Sequence, residues 1–451
     1  MHTFAVVAAS GRIVVVGGGA AGLAAAALLS RRAQVVLVEA RDRLGGRIDS
    51  RVDPLLGVAI EHGAEFVHGR PELTLALARR AGVRVREIPD RHARRTRSRA
   101  SEASDAFGRA QQLLARGARD DEPFTTVLRE ARRERRSATE LELASSFVRG
   151  FYLADPATAS SLALAKMTAA LEEVGGDAVF RVEGGYARVL DPLRRALERG
   201  RAEIRLSTCV QEIRWRPGHV EISARGPAGG WLPALRASAA IVTLPLPVLS
   251  EGHVRFRPAL PDKRRAAAAL GMGPVVKVVL RFRRSPWTDT GPRALSFLHV
   301  PGAPIPVFWT LAPLRAPVLV GWAGGPDSAR LAGKREVEVL RAAVRSAARG
   351  LGCSAGELED ALDGATVVDW TRDPYARGGY AVFPVGSAAA PLVLARPVDE
   401  TLFFAGEATA GGLAGTVEGA LRSGERAAHE ALAALERGAG PHRSRSSTSS
   451  A

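Results

Sequence analysis

Between residues 12 and 40 the apolar rhythm of the chain changes twice. Ile13 to Val16 run without a polar interruption into Gly17-x-Gly19-x-x-Gly22. An Ala/Leu stretch follows, and a second apolar run from Gln34 to Val38 ends on Glu39. A short apolar run bounded by glycine predicts a strand buried on both faces, and the Ala/Leu stretch predicts a helix. Residues 73–81, 105–116 and 335–350 have helical periodicity, and 91–146 is rich in Arg and Ala with charges at helical spacing. Residues 202–224 predict two strands around a turn at Pro217-Gly218. A further strand within 237–247 is stopped by prolines, and 275–282 and 316–325 predict strands in a different neighbourhood. The last fifteen residues are polar and low in complexity, which predicts a disordered tail over 437–451. No internal repeat is visible.

The first of these segments carries chemistry. Gly17 permits a tight turn, Gly19 lets backbone approach a pyrophosphate, and Gly22 lets helix and strand pack closely. The helix N-terminus offers free N–H groups and partial positive charge to phosphates. Glu39, twenty residues after Gly19, stands where a carboxylate accepts bonds from a ribose diol. Strand, helix, second strand and acid in one register predict a dinucleotide site, like that of NAD(P)-binding Rossmann domains. The continuation "EARDRLGGRI" (39–48) adds a second close approach at Gly45-Gly46 and two guanidinium groups, Arg41 and Arg47. An NAD-only domain has no need of them.

Composition changes little. At 451 residues the chain is long enough for two domains, and 46% hydrophobic with 24% charged residues is ordinary for a globular protein. The formal charge of +16 comes from 59 Arg and only four Lys, a bias of the whole sequence. The Arg runs at 91–100 and 131–138 lack interleaved aromatics, so a solvated basic face is expected rather than nucleic acid. No apolar run is long enough to span a membrane, and the N-terminal residues lack a basic leader segment. Two distant cysteines fit a reducing, cytoplasmic compartment, and nine scattered His predict no metal site.

"GGGAAGLAAA" with "VEARDRLGGR" resembles the flavin-containing amine oxidases, the group of monoamine oxidases, polyamine oxidases and flavin-dependent histone demethylases. The resemblance continues through "HGAEFVHG" (62–69), "VEGGYARVLDPL" (182–193), "IVTLPLPVL", "VVKVVLRF" and "WTRDPYARGGY". It closes with "TLFFAGEATAGGLAGTVEGALRSGERAA" (401–428). It implies an α/β fold: a discontinuous Rossmann-like FAD-binding domain (11–70, 181–249 and 367–436) and a substrate domain of mixed sheet plus helices (71–180 and 250–366). It implies FAD held by Gly17, Gly19, Gly22, Glu39, Arg41, Gly45, Gly46 and Arg47, with the backbone at Val210 near the adenine. Gly63, Ala64, Glu65 and Phe66 would lie beside the flavin ring. Gly406 and Glu407 would lie at the ribityl or pyrophosphate end, and Thr416-Val417 would open a helix facing the flavin. The implied reaction is oxidation of a primary or secondary amine, with a polyamine included, to an imine by hydride transfer to flavin N5. O2 then regenerates the flavin and yields H2O2. Rival activities are an L-amino-acid oxidase and a protoporphyrinogen oxidase or desaturase-like oxidoreductase.

Lys277 interrupts an otherwise apolar strand, so its end either snorkels to solvent or points into a polar cavity. The resemblance places a lysine there, water-bridged to flavin N5. Monoamine oxidases tether FAD through a cysteine just before the C-terminal aromatic segment. "YARGGYAVFP" has none, so FAD is expected to be non-covalent. Tyr380 and Trp370 are expected to wall the substrate, with Thr416 where a second tyrosine would stand and Gly378-Gly379 carrying backbone close to the ring system. Glu61, Glu65, Glu172 and Glu173 are candidate acids along a polyamine entry, or ordinary surface acids. His68 and Arg70 belong to an entrance or to a plain loop. Oligomeric state is not legible.

Overall fold

The computed structural model describes residues 11–95, 100–102, 104–117, 120–200, 202–287 and 294–438. The strand Arg12–Val16 lies at the centre of a five-stranded parallel sheet, between Gln34–Val38 and Ala239–Val242. Ala202–Arg205 and Leu402–Phe404 form its edges. The period-two alternation of a strand sends Ile13, Val15, Val35 and Leu37 to one face and Val14, Val16, Val36 and Val38 to the other. The first set packs under the helices Ala20–Leu29 and Val417–Gly438. The second packs against a four-stranded sheet built on Cys209–Arg216 and His219–Arg225. Both faces are therefore dry, which is why these strands read as unbroken apolar runs.

A seven-stranded mixed sheet lies elsewhere in the molecule. Val275–Phe282 sits in it between Val318–Gly324 and Leu362–Asp369, antiparallel to both. The helix Glu336–Leu351 covers one face. A separate helical layer, Ser104–Arg116, Phe124–Arg133, Ala138–Gly150 and Ser161–Glu172, has its own core. A three-stranded sheet of Phe66–His68, Val179–Val182 and Val85–Glu87 joins stretches far apart in sequence. Among the described residues no helix is long and apolar enough to cross a membrane.

Two expectations need correction. Residues 202–224 form three strands, not two, because Ser207 takes a positive φ of 48° and turns the chain. The N–H groups of Ser207 and Thr208 donate to Arg41 O and Glu39 O, so Ala202–Arg205 joins the parallel sheet and only the later pair forms the hairpin. Within 91–146, His92–Arg95 is a strand, parallel to Phe297–His299. Its partner lies two hundred residues away, where local charge spacing carries no information. The tail expected from 437 lies outside the described residues beyond Gly438.

Candidate functional site

Gly17 adopts φ 107°, and its N–H donates to Val38 O at 2.8 Å. A methyl on Gly22 would sit 1.9 Å from Gly17 O, so the turn and helix close on each other only with glycine there. Gly19 differs: no protein atom lies within 4 Å of where its Cβ would stand. The space beside it is open. Glu39 is 4% exposed, and its carboxylate accepts from Gly18 N–H at 2.6 Å and Arg41 N–H at 2.9 Å. Gly45 N–H donates to Gly18 O at 2.8 Å and locks the two glycine turns together. The Arg41 guanidinium pairs with Asp373 at 2.5 Å and stands 5.3 Å from the Tyr375 ring centre. Arg47 pairs with Glu407 at 2.9 Å and donates to Gly379 O at 2.6 Å. Glu407 also accepts the N–H groups of Ala381 and Gly415.

At the inner end, Lys277 is 1% exposed. Its ammonium donates to Glu61 O at 2.8 Å, Gly63 O at 3.1 Å and the Glu65 carboxylate at 2.6 Å. Glu65 also receives Arg181 at 2.6 Å and Trp309 Nε1 at 2.8 Å. Burial alone would raise the Glu65 pKa, but Lys277 and Arg181 bring it below the usual carboxylate value. Glu61 accepts from Ser50 and from Tyr186 N–H, each at 2.6 Å. There burial wins and pushes the acid up to about 7. Trp370 is buried and donates through Nε1 to His62 O at 2.9 Å. Tyr380 donates its hydroxyl to Phe151 O at 2.5 Å. Burial holds its pKa above the usual phenol value. His68 lies edge-on to Phe66 and Phe151 and has no hydrogen-bond partner among the described residues; burial lowers its pKa to about 4.

One cavity of about 1180 Å³ runs from the glycine turns to this inner chamber. It is lined by Gly17, Gly19, Glu39, Arg41, Gly45, Gly46, Arg47, Val210, Gly406, Glu407, Thr416 and Val417, and further in by Gly63, Ala64, Glu65, Phe66, Lys277, Trp370 and Tyr380. Gly22 stands behind the turn and does not line it. Such a volume exceeds the usual 300–1,000 Å³ of a small-ligand pocket. The N-termini of the helices Ala20–Leu29 and Val417–Gly438 both meet it, as anionic phosphates require. The open side of Gly19, the two helix ends and the fixed carboxylate of Glu39 fit an FAD.

Several residues differ from their expected places. Glu61 and Glu65 are not surface acids but buried at 4% and 6% exposure, whereas Glu172 and Glu173 are exposed. The Lys277 end does not snorkel, and its three N–H groups are all engaged by protein. Thr416 is not a bare wall: its hydroxyl donates to Leu413 O and accepts Gly419 N–H, capping the final helix. An added methyl at Gly378 or Gly379 would meet Met272, Gly273 and Leu153, and Gly379 lines the cavity. Sequence reasoning missed Arg181, Trp309, Phe151 and Tyr375. Only Tyr375 left a trace, within the quoted segment "WTRDPYARGGY".

The family model of flavin containing amine oxidoreductases matches residues 20–432. Lysine-specific histone demethylase 1B of Mus musculus is 26% identical over 89% of this chain and 50% of its own length. Polyamine oxidase 2 of Arabidopsis thaliana is 26% identical over 90% of this chain and 84% of its own. The chain thus spans half or less of the length of the first curated relatives it matches. Cyclohexylamine oxidase from Brevibacterium oxydans superposes with TM-score 0.75 at 22% identity, covering 95% of this chain and 99% of that one. The chain belongs to the flavin-containing amine oxidoreductase family, with FAD as its cofactor.

Proposed function

We propose that this protein oxidises a primary or secondary amine at its C–N bond. FAD, held by the residues of the nucleotide arm, would supply the redox chemistry, taking up a hydride equivalent from the amine with O2 as the final electron acceptor. The observation that carries this reading is the inner chamber, which continues from the nucleotide arm and is walled by Phe66, Phe151, Trp370 and Tyr380. Loss of a hydride from the α-carbon needs the nitrogen lone pair to form the C=N bond, so the amine reacts in its neutral form. His68 is neutral at pH 7 and offers ring nitrogens to an N–H or a lone pair. The Tyr380 hydroxyl is committed to Phe151 O, so it orients by its ring face rather than by proton transfer.

A polyamine is the favoured amine. Glu87, Asp90, Glu172 and Asp177, all exposed, line the cavity mouth of a chain that is otherwise strongly basic. Carboxylates there draw a substrate carrying a second positive charge. An amino-acid oxidase wants an arginine facing the substrate carboxylate. Among the described residues the lining arginines are Arg41, Arg47 and Arg377, and Arg41 and Arg377 lie at the nucleotide arm with Glu39 and Glu251. The two cysteines are unpaired, which supports a reducing, cytoplasmic setting.

Anaerobic mixing with a panel of mono-, di- and polyamines is expected to bleach the flavin band near about 450 nm. Bleaching by a porphyrinogen, with none by any amine or amino acid, would overturn the reading. Acid precipitation is expected to release the flavin to the supernatant, since neither Cys209 nor Cys353 belongs to the segment after Trp370. Yellow colour retained in the pellet would show a covalent bond.

A further inference from the structure

An ammonium has three N–H donors, and in Lys277 all three are spent on protein: Glu61 O, Gly63 O and the Glu65 carboxylate. The carbonyl between them, His62 O, is taken by Trp370 Nε1. Three consecutive carbonyls of one turn are therefore held by side chains that arrive from the strand Val275–Phe282 and from the segment after Asp369. The same turn is wedged from behind, since a methyl on Gly63 would stand 1.8 Å from Arg47 O.

Behind Lys277 the hold continues. Glu65 gives one carboxylate oxygen to Lys277 and the other to Arg181 and Trp309. Arg181 gives two further N–H groups to Thr310 O and Ala312 O, both at 3.2 Å. The side chains of Lys277, Glu65 and Arg181 are 1%, 3% and 7% exposed. A buried carboxylate that accepts three hydrogen bonds between two cations is held in place, and removing one member leaves an unbalanced charge.

We propose that Glu65, braced by Arg181 and Trp309, is a positioning residue that fixes Lys277 and, through it, the turn 61–65 at the cavity wall. The proposal rests on the reading of the inner chamber as the flavin end. Its test, however, is read without any amine. The visible circular dichroism of bound FAD reports the shape of the wall around the ring, so a failed amine panel leaves this readout untouched.

The experiment compares Glu65→Gln, Lys277→Met and the double variant as FAD-loaded proteins. Each single change removes the same hold on the turn, so both are expected to alter the flavin dichroism in the same way. With a working amine, each is expected to lower kcat/KM about 10-fold or more, and the double variant is expected to be no worse than the poorer single. Effects that add in the double variant overturn the proposal. So does a Glu65→Gln enzyme like wild type beside a Lys277→Met enzyme that is slow with unchanged dichroism. Should the charge variants fail to fold, Trp309→Phe keeps the packing and removes only one N–H from Glu65. It is expected to shift the dichroism in the same direction by less, and an unchanged spectrum refutes the proposal.

Discussion

Gly19→Ala is expected to fold as wild type and purify with little or no flavin, while Gly22→Ala loses both the flavin and part of its fold. At Gly19 the backbone has φ −74°, open to any residue, and no protein atom lies within 4 Å of the added methyl. The methyl therefore competes only with the ligand. At Gly22 the same methyl would stand 1.9 Å from Gly17 O, and the turn must open to admit it. Overpacking of this kind costs on the order of 1–3 kcal/mol. FAD affinity is expected to fall about 100-fold or more in both variants, which corresponds to roughly 3 kcal/mol. The measurements are the flavin-to-protein ratio, a titration of the apoprotein with FAD and the thermal midpoint of the apoprotein. Wild-type FAD affinity in Gly19→Ala would mean that the pyrophosphate does not pass there.

The second large effect concerns pH. Glu61 is buried and its acid is pushed up to about 7 by loss of solvation, against the pull of Ser50 and Tyr186 N–H. The unfolded carboxyl titrates near its ordinary value of about 4.3. The folded state therefore binds the extra proton between these limits. The stability this group contributes is full below the unfolded value and is lost as pH rises through about 7. Across about pH 5 to pH 8 the loss is on the order of 2 kcal/mol. Denaturant midpoints of wild type are expected to fall over that range more steeply than those of Glu61→Gln, whose amide keeps the shape without the titration. Parallel pH curves for the two proteins would show that Glu61 is already ionised in the fold or does not feel its burial. Glu65 behaves in the opposite way only four residues on, because two cations pair with it, whereas among the described residues none makes an ion pair with Glu61.

The contrast between those two glutamates marks the limit of the sequence. Both stand in "EHGAEFVHG", and both can be read there as entry acids or surface acids. Their partners lie elsewhere: Lys277, Arg181, Trp309 and Tyr186 are separated from them by 116 to 244 positions. No local spacing records such a meeting. The same holds for His92–Arg95, whose strand neighbour is Phe297–His299, and for Ala202–Arg205, which leaves its apparent hairpin to pair with Gln34–Val38. Tyr375 was visible as one ring in a cluster, but its place beside Arg41 at the nucleotide arm depends on the Arg41–Asp373 ion pair.

What the sequence alone determined is the nucleotide end. The strand, glycine turn, helix and acid from Ile13 to Glu39 fall within one short stretch, and each is dictated by backbone sterics and period, which act between near neighbours. The strand around Lys277 was likewise legible, since a lysine in a run dry on both faces stands out. Only the tertiary structure decided what that lysine does with its charge. Desolvation and ion pairing are set by whichever groups the fold brings within a few ångströms, and here it brings a carboxylate, an arginine behind it and two carbonyls of one turn.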